Sequence, residues 1–122
     1  MGKGANYERQ LKKMLEEKGY YVVRSAGSGS DSTSPDLIAL SSVRKMGFEC
    51  KAIRSEYLWI ESEKIEKYRE FELKTAMPVY IAWKSPYRDW GFFPLSAMKE
   101  SKSGYGISLK ELNSSLKLEQ II

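Results

Sequence analysis

An α/β domain with a mixed central sheet flanked by helices is predicted by three features of this sequence. Apolar periodicity switches between helical and strand-like along the chain, giving the order α-β-β-β-α-β-β. The early strands follow one another through turns, as hairpins do, whereas the stretch between Ile53 and Val79 is long enough for a helical crossover to a parallel partner. The length, 122 residues, suits one domain and hardly two.

Each element has its own signal. From about Ala5 to Lys18, Tyr7, Leu11, Met14 and Leu15 recur on one helical face, and Gly19 is a natural C-terminal stop. Tyr20–Arg24 is rich in strand-forming residues. Ser25–Pro35 is a linker-like run of serine and glycine. Asp36–Leu40 reads as a short apolar strand, SSVRKM as a turn and Gly47–Ile53 as an alternating strand. YLWI reads as a short extended piece. Ser62 is placed to cap a helix reaching about Thr75, with Ile65, Tyr68, Phe71 and Glu72 spaced along it. Pro78 marks a boundary, Val79–Lys84 is a strongly apolar strand, and WGFF is a last short strand after the SPYRD turn. Ser108 and Glu111 fit a capping box ahead of a short helix from Leu109 to about Leu116. Residues 1–122 are therefore expected to form one domain, with 94–122 a C-terminal extension whose packing the pattern leaves open.

Composition narrows the chemistry. The chain is 42% hydrophobic and 30% charged, with a net charge of +4 and a pI near 9.1. That balance suits a globular protein and mildly favours a polyanionic partner. No apolar run approaches the roughly 20 residues of a membrane span, the first ten residues lack a secretory pattern, and the one cysteine, Cys50, has no internal partner. A cytoplasmic protein without membrane association is expected. The sequence has no histidine, so imidazole bases, His-ligated zinc and Ser-His or Cys-His pairs are excluded. Catalysis would rest on carboxylates, lysine, tyrosine or a hard, oxygen-ligated metal.

The carboxylates fall in unusual places. In Gly47–Ile53 the strand alternation puts Phe48, Cys50 and Ala52 on one face and Glu49 and Lys51 on the other. Such a dyad alone is usually a solvent-facing pair. Asp36, directly after Pro35, opens the preceding strand, 13 residues before Glu49, and a hairpin brings the two together at one sheet edge. Asp36, Glu49 and a backbone carbonyl such as that of Cys50 are hard ligands suited to Mg²⁺ or Mn²⁺. Otherwise Asp36 is an ordinary turn residue. Glu8 lies about 20° from Leu15 and about 60° from Leu11 around the first helix, at the end of its apolar stripe, where a partner or a cation is expected; a glutamate serving the helix dipole is the alternative. Arg24, ahead of the serine-rich loop, is a candidate phosphate contact.

The set Pro35-Asp36 and Glu49-Cys50-Lys51 resembles the PD-(D/E)xK nuclease motif. Taken with Ala5-x-x-Glu8-Arg9-x-Leu11, Tyr21–Ser28 (YVVRSAGS) and Asp36-Leu37-Ile38-Ala39, residues 1–93 are similar to the archaeal-type Holliday junction resolvases of archaea and some of their viruses. The resemblance implies a restriction-endonuclease-like core and a homodimer that cuts four-way DNA in two opposed strands with Mg²⁺ or Mn²⁺. It implies catalytic roles for Glu8, Asp36, Glu49 and Lys51, with metal ligation by Asp36, Glu49, the Cys50 carbonyl and Glu8, directly or through water. Arg9 and Arg24 match basic positions near the phosphate, and Ser28 or Ser30 would stand for a loop serine. The segment between Ser28 and Asp36 is longer and richer in serine than the family pattern. Lys3, Lys12, Lys13 and Arg54 are further DNA-binding candidates. Either the helix carrying Ile65, Tyr68 and Phe71 or the strand Val79–Lys84 would form a dimer interface, unless these residues are core. Competing readings are another PD-(D/E)xK nuclease of repair or restriction type, a junction-binding module that does not cut, and a protein with no nucleic-acid role.

Overall fold

A computed structural model describes residues 3–25 and 33–122, with side chains from residue 6 onward. The first helix, α1 (Lys3–Glu17), ends in a Schellman motif. Tyr20 N–H donates to Leu15 O (3.1 Å), Gly19 N–H donates to Glu16 O (3.0 Å), and Gly19 takes the left-handed conformation (φ 94°) that its missing Cβ permits.

Three antiparallel strands follow: β1 (Tyr21–Arg24), β2 (Leu37–Leu40) and β3 (Lys45–Lys51). Strand β4 (Tyr57–Glu61) leads into α2 (Ser62–Thr75), which crosses to β5 (Val79–Trp83), parallel to β3. The antiparallel partner of β5 is β6 (Gly91–Pro94), giving a five-stranded mixed sheet ordered β1-β2-β3-β5-β6. The crossover is pinned where it rejoins the sheet, because the Glu72 carboxylate of α2 accepts from Val79 N–H at 2.7 Å. The helix starts at Ser62 itself, with Glu61 at the N-cap and no capping side chain, so Ser62 is not the cap its identity suggests.

Residues 94–122 carry structure of their own. Strand β8 (Gly104–Ser108) pairs with β4 on one side and with β7 (Lys99–Ser101) on the other in a second sheet, β4-β8-β7, so YLWI is one strand of a three-stranded sheet. The Ser108/Glu111 capping box is present, but the helix it caps is a 3₁₀ helix over Leu109–Ser114. Chain end α3 (Leu118–Ile121) returns to the main sheet beside a Phe92–Leu116 bridge.

Strand alternation divides the core in two. On one face of the main sheet Leu37, Phe48, Ala82 and Phe92 pack with Leu11 and Leu15 of α1 and with Leu118 and Ile121 of α3. On the other, Val79, Ile81 and Trp83 pack with Ile65 and Tyr68 of α2 and with Leu58, Ile60 and Ile107 of the second sheet. Ile65, Tyr68 and the 79–83 strand are thus core of the single chain, with Phe71 partly buried beside them and Leu73 of α2 exposed. No helix among the described residues is long and apolar enough to cross a membrane. Ile121, 4% exposed, tests how far the chain end belongs to this core. Ile121→Ala is expected to lower unfolding free energy by about 2–4 kcal/mol with an unchanged m-value in urea.

Candidate active site

The β2–β3 register pairs Leu37 with Phe48, so one step beyond the ladder Asp36 stands opposite Glu49. Two further bonds hold Asp36 there: its carbonyl accepts from Ser25 N–H (2.8 Å) and its Oδ2 accepts from Cys50 N–H (2.9 Å). Cys50 and Phe48 face α1, while Glu49 faces α2, as the alternation of GFECKAI predicts.

Glu49 is 1% exposed. A carboxylate so placed needs partners. Tyr68 O–H donates to Oε1, while the Lys64 ammonium lies 2.8 Å and the Lys51 ammonium 3.7 Å from Oε2. Burial and the charge of Glu49 push the Tyr68 phenol well above its usual range, so it remains a donor. Burial alone would lower the Lys64 ammonium, but its hydrogen bond and attraction to Glu49 outweigh that and hold it raised.

Asp36 is shifted the other way from an ordinary ion-paired acid. Burial and the neighbouring Glu49 push its carboxyl from 3.8 up to about 7, against the opposing pull of the Cys50 N–H. Burial, then the charges of Asp36, Glu8 and Glu49, also raise the Cys50 thiol, which disfavours a thiolate there.

Glu8 approaches the same sheet end from the α1 side. The partner expected for it is Arg24, whose Nε donates to Oε1; this bond, the charge of Glu8 and, more weakly, that of Asp36 raise the guanidinium above its usual value. The charge of Glu8 reaches Asp36 and helps to raise its carboxyl, although no three acids, cysteines or histidines gather into a metal-sized set among the described residues.

The remaining candidates are scattered. Arg9 is exposed and bonds Asn6 (3.1 Å), Lys12 pairs with Glu16 (2.8 Å), Lys13 is exposed, and Arg54 is exposed beyond the end of β3. Ser28 and Ser30 lie outside the described residues, as does the side chain of Lys3. The sequence reading missed Lys64 and assigned Tyr68 to core or interface. The available signal was their i,i+4 spacing, which points a lysine and a phenol from one helical face.

A hairpin-edge carboxylate pair with a lysine one alternate residue on, set on a mixed sheet between helices, defines a nuclease of the PD-(D/E)xK class. Comparison with known proteins narrows this. A family model described as archaeal Holliday junction resolvase (Hjc) matches residues 1–122, and the chain belongs to that family. It is similar to proteins named crossover junction endodeoxyribonuclease Hjc. The one from Archaeoglobus fulgidus is 28% identical over 106 residues, 86% of this chain and 78% of that protein. The one from Methanocaldococcus jannaschii is 39% identical over 82 residues, 67% of this chain and 59% of that protein. A solved structure of the Archaeoglobus fulgidus Hjc superposes with a TM-score of 0.88 at 23% identity, covering 98% of this chain and 95% of that one, which establishes the shared fold.

The Asp36 shift carries a stability consequence. Its folded value, about 7, lies above the ordinary 3.8, so ionising Asp36 favours the unfolded chain. The penalty is absent below about pH 4, grows between the two values and is complete above about 7. Asp36→Asn is therefore expected to stabilise the metal-free protein at pH 8 by an amount of order 3 kcal/mol, with the difference vanishing near pH 4. Urea unfolding of both proteins across that range, in EDTA, checks it.

Proposed function

We propose that this chain is a divalent-metal-dependent endodeoxyribonuclease that resolves four-way DNA junctions by hydrolysing one phosphodiester in each of two opposed strands. The observation that carries the reading is the Asp36–Glu49 pair, two acids held side by side at a cost that a bound cation would remove.

The donors fit Mg²⁺ or Mn²⁺. Asp36 and Glu49 offer carboxylate oxygens, and the Cys50 carbonyl points, like its N–H, toward the Asp36 side of β3. When bound, the ion would supply Lewis acidity toward the scissile phosphate and a water of lowered pKa. The protein's own groups do the rest. Tyr68 and Lys64 fix one Glu49 oxygen each and keep that carboxylate aimed. Lys51, with 30% of its side chain exposed, can reach both Glu49 and an arriving phosphate, where its ammonium holds the attacking water and offsets charge on the pentavalent transition state. In-line attack leaves 5′-phosphate and 3′-hydroxyl ends. Glu8 orients the Arg24 guanidinium toward a neighbouring phosphate. Lys3, Arg9, Lys12, Lys13 and Arg54 add affinity through counterion release, and Ser28 or Ser30 remains the candidate loop contact. We take the cytoplasm as its location, in keeping with a single cysteine, Cys50, that forms no internal disulfide.

The names of the relatives, which align with most of this chain, support the junction as substrate. Two cuts require two sites, which a two-fold homodimer supplies. We assign the dimer to the α2-side face of edge strand β1, where Tyr21 is 74% and Val23 42% exposed. Both are strand residues carrying apolar surface into solvent.

Incubation with Mg²⁺ and a labelled four-way junction or its matched linear duplex tests the activity. Paired nicks confined to the junction are expected, with Asp36→Ala and Glu49→Gln binding the junction as wild type while cutting at least about 10²-fold more slowly. Equal cutting of the duplex, or unaltered cutting by Asp36→Ala, would overturn it. A Tyr21→Glu/Val23→Glu double variant is expected to sediment as a monomer and to leave single rather than paired nicks.

A further inference from the structure

The turn between β5 and β6 has an unusual residue at its tip. Arg88 N–H donates to Ser85 O (3.2 Å), Pro86 is the second residue, and Tyr87, the third, adopts φ 63°. This is the type II pattern, whose third position normally demands glycine. A tyrosine there is strained, and the residue is 99% exposed, so packing gives little in return. The turn is nonetheless held firmly. The Lys84 ammonium donates to the carbonyls of Ser85 and Arg88, and Lys84 N–H donates to Lys51 O at 2.8 Å, rooting the turn on the catalytic strand.

Between this turn, the end of β3 and α1 lies a cleft of about 440 Å³, with Tyr7, Ile53, Arg54, Lys84 and Tyr87 among its lining residues. The Lys84 ammonium also sits 5.6 Å from the Tyr7 ring centroid. The lining holds two cations, two phenol rings and no acid. It begins at Ala52, directly after Lys51, on the same sheet end as Arg24 and Glu8. Flat aromatic surface beside fixed positive charge, one residue from Lys51, fits a single unstacked nucleotide.

We propose that this cleft receives one unstacked nucleotide next to the cut phosphate, its base on Tyr87 and its phosphate between Arg54 and Lys84. Tyr87 is then a specificity-determining residue. It favours branched DNA, where bases at the exchange point leave the stack readily, over uninterrupted duplex, where each base is paired and stacked on both sides. The inference rests on the nuclease reading given above.

Tyr87→Gly separates this role from a structural one, because glycine relieves the backbone strain. The variant is expected to melt a few degrees above wild type and yet bind a four-way junction about 5- to 150-fold more weakly, the loss of one base–aromatic stack, with linear-duplex affinity unchanged. Tyr87→Phe should bind as wild type. Binding is measured in Ca²⁺ to prevent turnover, on a junction carrying 2-aminopurine at the exchange point and on a duplex with one bulged 2-aminopurine. Wild type should change the fluorescence of both probes and Tyr87→Gly of neither. A Tyr87→Gly protein with wild-type junction affinity and fluorescence, or one weakened equally on uninterrupted duplex, overturns the proposal. Should wild type show no preference for junctions, the resolvase reading fails, and the bulged duplex still decides whether Tyr87 takes a base.

Discussion

The buried Glu49 carboxylate is the constraint around which the rest of the molecule is arranged. At 1% exposure, on a sheet face otherwise filled by Ile81 and Trp83, it is tolerable only if its oxygens are bound. The phenol and ammonium that bind them come from Tyr68 and Lys64, one helical turn apart, so the first two turns of α2 must come within side-chain reach of Glu49. That placement fixes the crossover, and Glu72 then meets Val79 where β5 starts. The second sheet completes the cover, its Leu58, Ile60 and Ile107 packing against the same apolar set as Tyr68. The packing of this half of the protein is thus also the aiming of one carboxylate.

Asp36 shows the opposing tendency. Its hydrogen bond from Cys50 favours the ionised carboxylate, but burial and Glu49 outweigh it and leave the acid at about 7. An acid with only structural duties would sit where its partners lower its pKa. Here the ladder ends one residue too early to cover Asp36, and Pro35, itself buried against Gly47, sets where the strand begins. A Cβ on Gly47 would come within 2.7 Å of the Pro35 ring, so even that glycine serves the placement of Asp36. The fold accepts a destabilised carboxyl at the end of its sheet, which is the usual relation between stability and a prepared site.

The site was legible where chemistry departs from pattern. Alternation in GFECKAI separates Glu49 from Phe48 and Cys50, and the hairpin spacing carries Asp36 to it. Glu8 on an apolar stripe announces a partner, found in Arg24. Tyr68 was not legible as a Glu49 ligand, because a tyrosine in the stripe of Ile65 and Phe71 reads as core, and it is core except for its hydroxyl. The second sheet was hidden for a different reason. Its central strand holds Gly104 and Gly106, poor strand formers whose missing side chains make room for the rings of Trp59 and Tyr57. β7, Lys99–Ser101, is too short and polar to alternate. Those strands exist because long-range packing supplies what their own residues do not.

The same sheet end gathers functional groups from both faces, and this explains why no single element carries the site. The β2–β3 ladder ends at Leu37, one residue short of Asp36, while β3 runs on through Lys51, so a step is left in the sheet. α2 supplies Lys64 and Tyr68 to one side of that step, and α1 supplies Glu8, through Arg24, to the other. Burial is deepest at Glu49 and falls toward Lys51 and Arg24, which grades the site from a rigid acidic floor to cationic groups open to solvent. A polyanion can approach such a gradient only from its cationic rim. On the function proposed above, the backbone that positions the carboxylates also sets the direction from which a phosphate arrives.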